Sequence, residues 1–171
     1  VSNRFNSKDK WGLVIGDIML DHYIIGDVKR LSPEAPVPIV NVDDNVYKIG
    51  GAGNVALNLS GLGINTFIVG EIGNDYSGEV LKSLFKENGI STKNLIKKKG
   101  PTTTKTRIMG GQQQMVRLDY EELSSGPSEI ELKKILKLIS NGPSAIIISD
   151  YEKGFLSNTA LKKIIQAANK K

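Results

Sequence analysis

The chain has 171 residues, 39% of them hydrophobic and 24% charged, a composition typical of one globular domain rather than a disordered chain. It contains no cysteine and a single histidine, which excludes disulfides, thiolate metal sites and cysteine nucleophiles and argues against a metal site. The formal net charge of +5 permits an anionic ligand, but the lysines are scattered along the chain and predict no nucleic-acid partner. The lack of a long apolar run predicts a cytoplasmic chain without membrane contact.

The first predicted elements are a buried strand and a flap. Residues 12–16, "GLVIG", form a short apolar run that predicts a buried parallel strand ending at Asp17. Residues 37–49 alternate apolar and polar side chains around the Asp-Asp-Asn stretch at 43–45, which predicts an antiparallel hairpin with its turn there. Three prolines interrupt the approach to this hairpin, so we expect an edge strand or flap rather than a central strand.

A glycine-rich stretch at residues 48–63, "KIGGAGNVALNLSGLG", predicts a tight turn followed by a helix. Gly51, Gly53 and Ala56 match the dinucleotide-binding pattern G-x-G-x-x-A, but in that fold the turn follows a fully buried strand, whereas here it follows the predicted hairpin. The Walker pattern is absent, because no Gly-Lys-Ser/Thr follows. Backbone amides at a helix N-terminus beside Asn54 suit a polyhydroxylated or anionic ligand, and a purely structural turn is the open alternative.

The middle of the chain predicts a second buried strand, a helix and a second hairpin. Residues 66–70, "TFIVG", form an apolar run that ends at Glu71, and residues 77–88 carry an apolar stripe at helical spacing that stops at an Asn-Gly pair. Residues 103–119 alternate around two glycines at 110–111, which predicts an antiparallel hairpin. The two hairpins together predict a small sheet beside the main one.

The last third predicts a helix, a buried strand and a final helix. Ser128 and Glu131 form a capping box, residues 145–149 ("AIIIS") form an apolar run that ends at Asp150, and Ser157 opens the last helix. Strands that alternate with helices predict an α/β fold, whose ligands bind at the carboxyl ends of the parallel strands. The acids at 17 and 150 are therefore site candidates, whereas Glu71 is better explained as a residue that begins a loop.

Six motifs in this sequence resemble those of a known family. The stretch "GGAGNVALNLSGLG" resembles the first signature of ribokinase-like sugar kinases, and "GDIMLDHY", "SPEAPVPIV", "TTTKTRI", "QQQMVRLDYEE" and "SDYEKG" resemble, in order and spacing, the kinase half of ADP-heptose synthases. The similarity runs from about residue 11 to the end. It implies the N-terminal, sugar-binding portion of a Rossmann-type three-layer α/β sandwich, with a small antiparallel β lid formed by residues of about 23–49 and 103–119.

The resemblance also implies roles for individual residues. The residues that would contact sugar hydroxyls are Asp21, Gly50, Gly51 and Asn54. Asp17 would orient the same loop. The candidates for the phosphate already on the sugar are Lys105 and Arg107, with Arg117 as a third. Asp150 and Lys153 are further substrate-binding candidates, at the strand end where the family brings the substrate pocket towards the nucleotide. An ordinary charged face of an exposed sheet is the alternative for the three lid cations.

One family signature has no counterpart in this sequence. The resemblance implies a second glycine motif, Gly-Ala-Gly-Asp, whose Asp is the catalytic base, but here the glycine pair at 51 and 53 is followed by Asn54. We therefore expect no catalytic or metal-binding residue in this chain, with the catalytic Asp and the C-terminal nucleotide-binding half lying downstream. The fragment alone is expected to be inactive and to bind no cofactor.

The resemblance implies that the intact enzyme uses ATP and Mg²⁺ to phosphorylate the 1-hydroxyl of D-glycero-D-manno-heptose 7-phosphate, for ADP-heptose and lipopolysaccharide core synthesis. The alternatives are another ribokinase-like sugar kinase, a non-catalytic sugar-phosphate-binding module and a dinucleotide-dependent oxidoreductase. A homodimer through lid residues 37–42 is the expected assembly, because an isolated small sheet with alternating apolar side chains needs a packing surface.

Overall fold

A computed structural model describes residues 10–170 as two four-stranded sheets and four helices. In chain order the elements are β1 (Trp11–Gly16), β2 (Ile18–Leu31), β3 (Pro38–Gly51), α1 (Ala52–Gly61), β4 (Asn65–Ile72), α2 (Tyr76–Glu87), β5 (Leu95–Lys97), β6 (Thr104–Gly110), β7 (Gln113–Tyr120), α3 (Glu129–Ser140), β8 (Ala145–Ser149) and α4 (Asn158–Ala168). We call the sheet of β5, β4, β1 and β8 the main sheet, and the sheet of β3, β2, β6 and β7 the lid sheet.

The main sheet is parallel and is covered by helices on both faces. Strand β1 lies in its interior, with β4 on one side and β8 on the other. Val14 faces the core shared with α1 and α2, whereas Leu13 and Ile15 face the core shared with α3 and α4. A strand that is buried on both faces needs apolar residues at every position, which explains the uninterrupted run at residues 12–16. The three predicted strands and the three-layer α/β arrangement are confirmed, but β8 lies at an edge of the sheet and is only partly buried.

The lid sheet combines one long hairpin with one short hairpin. Strand β2 continues directly from β1 through Asp17 and pairs with β3 in the antiparallel sense and with β6 in the parallel sense. Strands β6 and β7 form an antiparallel hairpin that turns at Gly111, where a positive φ of 60° favours glycine. The predicted hairpin at residues 103–119 is therefore confirmed.

The hairpin predicted within residues 37–49 is wrong, because β3 runs through this segment as a single strand. The chain reverses earlier, where the backbone N–H of Ser32 donates to the carbonyl of Val37 at 2.8 Å. Between Ile25 and Gly26 the pairing shifts by one residue on β3, so Asp43 is the extra residue of a β-bulge. A bulge accommodates the polar residues at 43–45 without a turn. Pro33 and Pro36 lie instead where the chain reverses between β2 and β3.

A carboxylate clamp fixes the start of β6 to the start of α2. Asp75 is the N-cap of α2, where its Oδ1 accepts the N–H of Gly78 at 2.9 Å and the hydroxyl of Thr102 at 2.6 Å. Its Oδ2 accepts the N–H of Thr102 at 2.8 Å. The Thr102 hydroxyl also accepts the N–H of Gly73 at 2.9 Å and is buried. Strand β6 therefore enters the lid sheet from a fixed point.

The clamp predicts a stability that depends on pH. Partial burial raises the pKa of Asp75, but the hydrogen bonds from Thr102 and Gly78 outweigh it and hold that pKa below its ordinary value. The stabilisation is therefore complete above the unfolded-state pKa of about 3.9 and is lost as the pH falls through the folded-state pKa. We expect Asp75→Asn to lower the free energy of unfolding by about 1.5 to 3 kcal/mol at pH 7, and by less in acid.

The measurement is urea unfolding of wild type and Asp75→Asn at neutral and acidic pH. Asp27→Asn is the matched control, because the Asp27 carboxylate is exposed and has only a 3.7 Å ion pair with Lys29, so its loss should change stability by no more than about 0.5 kcal/mol. If the free energies of unfolding of wild type and Asp75→Asn differ by the same amount at both pH values, the charged form of Asp75 is not what stabilises the clamp.

Candidate functional site

The site begins where the end of β3 meets the start of β2. Gly50 is buried and pairs with Met19, and a Cβ atom on Gly50 would lie 2.5 Å from Oδ2 of Asp21 and 2.8 Å from Cγ of Met19. Only glycine lets the backbone approach this carboxylate so closely. The structure therefore brings Asp21 and Gly50 together, as the sequence predicts.

The other two glycines of the turn have structural causes. Gly51 has a φ of 57°, and a Cβ atom there would lie 2.3 Å from the carbonyl oxygen of Asp17. A Cβ atom on Gly53 would lie 2.4 Å from Ile49 and 2.9 Å from the ring of Phe85, so Gly53 lets α1 pack against α2. The turn follows the lid strand β3 rather than a central buried strand, and a dinucleotide-binding turn requires the latter.

Asn54 lies in the first turn of α1, two residues after the buried Ala52. Its side chain is exposed, and no hydrogen bond to its carboxamide is formed within residues 10–170. The N-cap Gly51 contributes no side-chain hydrogen bond to the helix. A carboxamide that can both donate and accept thus stands beside backbone amides at the start of the helix.

Asp17 is a tether rather than an open ligand contact. It is buried, and its carboxylate Oδ2 accepts the backbone N–H of Tyr151 at 2.8 Å and of Lys153 at 3.2 Å. Its own carbonyl accepts the N–H of Ala52 at 2.8 Å. These bonds hold the glycine turn and the loop after β8 against each other, which agrees with the orienting role predicted for Asp17.

Asp21 is paired with a cation from the neighbouring strand. Arg107 Nη1 donates to Asp21 Oδ1 at 2.6 Å, and both side chains are about one-fifth exposed. This hydrogen bond raises the pKa of the Arg107 guanidinium above its ordinary value. A carboxylate that can accept bonds from sugar hydroxyls therefore lies in direct contact with a guanidinium that can bind a phosphate.

The other predicted cations form a continuous chain of ion pairs. Lys105 Nζ lies 3.1 Å from Asp119 Oδ2 and 3.7 Å from Glu121 Oε2, and Lys153 Nζ lies 2.9 Å from the same Glu121 oxygen. Arg117 donates to both oxygens of Asp119, at 2.8 and 3.0 Å. The hydrogen bond from Lys153 lowers the pKa of Glu121. The structure thus joins the lid sheet to the loop after β8, and it neutralises these three cations in part.

The two carboxylates of this chain of ion pairs were not among the residues predicted from the sequence. Asp119 and Glu121 follow Arg117 at steps of two, and side chains at that spacing lie on one face of a strand. That alternation of charge was the available signal, since a cation and two acids on one face predict an ion-pair network. Lys48 was also missed, and it lies beside Asp21 because these residues pair across β3 and β2.

The remaining acids lie at the carboxyl ends of β8 and β4. Asp150 follows β8, as predicted, and its exposed carboxylate accepts the N–H of Glu152 at 2.8 Å. Glu71 lies inside β4 rather than at the start of a loop, so that expectation is wrong. Burial raises the pKa of Glu71, against the hydrogen bond with Ser124 and the charge of Lys98 that lower it, and its Oε2 is buried without a hydrogen-bond partner.

A separate cleft of about 240 Å³ lies between β5 and α3. Its floor is apolar, with Val69 and Ile135, and lysines 93, 97 and 134 stand at its walls. It includes none of the predicted site residues, and the contacts that unite those residues lie in the lid sheet and the glycine turn. We therefore place the candidate site at the lid sheet and the glycine turn, and not at this cleft.

Two further properties hold for residues 10–170. No group of three or more histidine, cysteine, aspartate or glutamate side chains is arranged to hold a metal ion in this part of the chain. No helix of the described segment has the length and apolar character that crossing a membrane requires.

Comparison with known proteins places this fold and these motifs in a family. The bifunctional protein HldE of Methylobacillus flagellatus is 46% identical over 172 residues, which cover 98% of this chain and 35% of that protein. This chain thus spans about a third of the length of the curated relatives that it matches.

Solved structures show the same ribokinase-like fold. Arabidopsis thaliana ribokinase complexed with ribose and ATP has a TM-score of 0.66 and 15% identity, covering 94% of this chain and 50% of that one. Phosphofructokinase-2 from Escherichia coli, in complex with fructose-6-phosphate, has a TM-score of 0.65 and 20% identity, covering 94% and 51%. The model of the pfkB family carbohydrate kinases matches residues 12–171, and the chain therefore belongs to that family.

Proposed function

We propose that this chain is the sugar-binding portion of an ATP-dependent kinase that phosphorylates the 1-hydroxyl of D-glycero-D-manno-heptose 7-phosphate. The observation that carries the proposal is the contact of Asp21 with both Gly50 and Arg107, which sets a hydroxyl acceptor beside a phosphate-binding cation. The sequence motifs that resemble ADP-heptose synthases support the choice of sugar. The word bifunctional in the name of the relatives agrees with a kinase joined to a second enzyme.

The residues of this chain would bind and orient the sugar. Asp21 accepts hydrogen bonds from vicinal hydroxyls, and the carboxamide of Asn54 both donates and accepts. Asp17 keeps the glycine turn and the loop with Asp150 and Lys153 at a fixed separation. Orientation of this kind lowers the barrier to phosphoryl transfer, because the acceptor hydroxyl is held in place before reaction.

ATP and Mg²⁺ belong, in this proposal, to the part of the longer protein that lies outside this chain. Within residues 10–170 no three carboxylate or imidazole groups converge into a metal site made of protein side chains alone. When bound, the metal would neutralise charge on the transferred phosphate. The catalytic base is likewise proposed to come from a downstream aspartate, and the pathway is that of ADP-heptose and the lipopolysaccharide core.

The hydroxyl contact of Asn54 predicts equal losses for phosphorylated and unphosphorylated sugar. In the full-length protein we expect Asn54→Ala to raise the KM for heptose 7-phosphate and for heptose by similar factors, because its carboxamide meets only hydroxyls in this proposal. Asp21→Ala should raise both KM values too, but by unequal factors, because it also removes the ion-pair partner of Arg107. Steady-state titrations with both sugars measure the factors. A loss confined to the phosphorylated sugar would contradict the assignment of these residues to hydroxyls.

Arg107 predicts a loss that depends on the phosphate. Arg107→Ala removes a charge-assisted contact of about 1.5 to 3 kcal/mol, so the KM for heptose 7-phosphate should rise about ten- to a hundredfold while the KM for ATP changes little. Because salt screens a partly exposed contact, wild-type affinity should fall with ionic strength more steeply than that of the variant. Arg30→Ala, at an exposed arginine of β2, is the matched control.

The same titrations test Lys105, the other predicted phosphate contact. If Arg107→Ala and Lys105→Ala both bind the sugar phosphate as wild type does, strand β6 supplies no phosphate contact. The phosphate would then be sought at Arg117 and Lys153.

We also propose that the protein forms a homodimer through the end of the lid sheet. Strand β3 is an edge of that sheet, and the apolar side chains of Val37 and Val42 are each about half exposed. An open strand edge with apolar side chains is a surface on which a second copy can pack. The alternation of apolar residues at 37–42 extends this surface along the strand.

The dimer predicts a change of mass on a single substitution. In the full-length protein, Val42→Asp should shift the assembly from dimer to monomer, measured by multi-angle light scattering over a range of concentrations. Leu62→Asp is the matched control, because Leu62 is also exposed but follows α1 outside the lid sheet. A monomeric wild type at high concentration would contradict the proposal.

A further inference from the structure

Lys48 lies on the same face of the lid sheet as Asp21. The register pairs Asp21 with Lys48 on β3 and with Lys105 on β6. Residues that pair directly across neighbouring strands point to the same face. Asp21 therefore has one lysine on each side, and Lys48 precedes the buried Gly50 by only two residues.

The two lysines differ in how their charges are balanced. The ammonium of Lys105 contacts Asp119 and Glu121, and its side chain is only 16% exposed. Lys48 is exposed, and no carboxylate within residues 10–170 forms an ion pair with it. The ligand-binding capacity of Lys105 is therefore largely used within the protein, whereas that of Lys48 is not.

The ring of Tyr23 lies close to Lys48 and does not neutralise its charge. Lys48 Nζ lies 5.2 Å from the centroid of the Tyr23 ring, and Cζ of Arg107 lies 5.2 Å from the same centroid. A cation over an aromatic face gains a modest attraction and keeps its full charge. Tyr23 also pairs directly with Arg107 across β2 and β6, so the ring and both cations occupy neighbouring positions on three strands.

Arg107 keeps donors for a ligand although it is paired. A guanidinium has five N–H donors in a planar fork, and the contact with Asp21 uses Nη1. The same contact balances the negative charge of Asp21, which would otherwise repel an anion at this place. The face around Tyr23 therefore presents one balanced ion pair and one further positive charge.

We propose that Lys48 and Arg107, held over the ring of Tyr23, bind the phosphate ester that the sugar substrate already carries, and that Lys48 discriminates the phosphorylated from the unphosphorylated sugar. This inference rests on the proposed function and adds to it a residue that the family motifs did not indicate. Lys105 then serves to join β6 to β7 and to the segment that follows. One strand end, at residues 48–50, would supply both the phosphate contact and the close approach to the hydroxyl site.

The first test compares two sugars in the full-length protein. Lys48→Ala should lower kcat/KM for heptose 7-phosphate about tenfold or more and leave kcat/KM for heptose nearly unchanged, while Lys48→Arg should retain most of the discrimination. Lys29→Ala is the matched control, because Lys29 is an exposed lysine of the same sheet that pairs with Asp27 on its own strand. Equal losses for both sugars, or no loss for either, would overturn the role of Lys48.

The second test uses inorganic phosphate alone and does not require that the sugar be correct. Equilibrium dialysis with radiolabelled phosphate should show one saturable site fewer in Lys48→Ala and in Arg107→Ala than in wild type, Lys48→Arg and Lys29→Ala. If wild type fails to phosphorylate heptose 7-phosphate but this pattern holds, the proposed sugar is wrong and the anion site stands. If the number of sites is the same in all five proteins, the anion site is refuted, whatever the substrate.

Tyr23 supplies a positioning control within the same experiment. Tyr23→Phe keeps the aromatic face and should leave phosphate binding as in wild type, whereas Tyr23→Leu removes the face and should weaken binding of phosphate while Lys48 and Arg107 remain. Circular dichroism of each variant checks that the lid sheet is intact. Equal binding by Tyr23→Leu and Tyr23→Phe would show that the ring has no part in placing the cations.

Discussion

The buried carboxylate of Asp17 is the constraint on which the arrangement of the site depends. Its residue joins β1 to β2, so it is the point where the chain leaves the main sheet for the lid sheet. Its backbone bonds reach β8 and the glycine turn, and its carboxylate reaches the loop after β8. A buried charge is tolerated only when it is well hydrogen-bonded, and here the donors are backbone groups whose positions define the walls of the site.

The charged side chains of the lid sheet largely balance one another. The cations and carboxylates of β6, β7 and the following segment alternate, so most positive groups near the site meet an acid. Such pairs contribute little stability on an exposed surface, but they fix side-chain directions. The groups that keep capacity for a ligand are then few, namely the carboxamide of Asn54, the remaining donors of Arg107 and the ammonium of Lys48.

The main sheet could be predicted from the sequence because burial on both faces leaves an uninterrupted apolar run, and because the capping box of Ser128 and Glu131 marks a helix start directly. The path of residues 37–49 could not be predicted in this way. Polar residues at 43–45 are compatible with a turn or with a bulged strand, and long-range pairing with β2 decides between them.

The candidate site, too, could be predicted only in part. The approach of Asp21 to Gly50 follows from the motifs, whereas the pairing of Asp21 with Arg107 depends on β6 being parallel to β2, which local patterns do not encode. The position of Lys48 beside Asp21 depends in the same way on the antiparallel register of β2 and β3, because that register is set by a turn at residues 32–37 and by two compensating bulges, at Lys29 on β2 and at Asp43 on β3.

The lid sheet begins along a line through Asp17, where β2 leaves the main sheet, and its long strands reach far beyond that line like the arm of a lever. Its two central strands start beside each other, where Leu20 donates to the carbonyl of Thr103 at 2.9 Å, and β3 ends beside Asp17. With a rise of about 3.3 Å per residue, Asp21 lies about 13 Å along β2 from Asp17 on that line, and Leu31 about 46 Å. A given rotation therefore moves the far end of the lid more than three times as far as the hydroxyl-binding carboxylate. If the lid sheet rotates about that line, a contact at its far end controls the lid angle with the greatest mechanical advantage, and the groups nearest the line change their relative positions least.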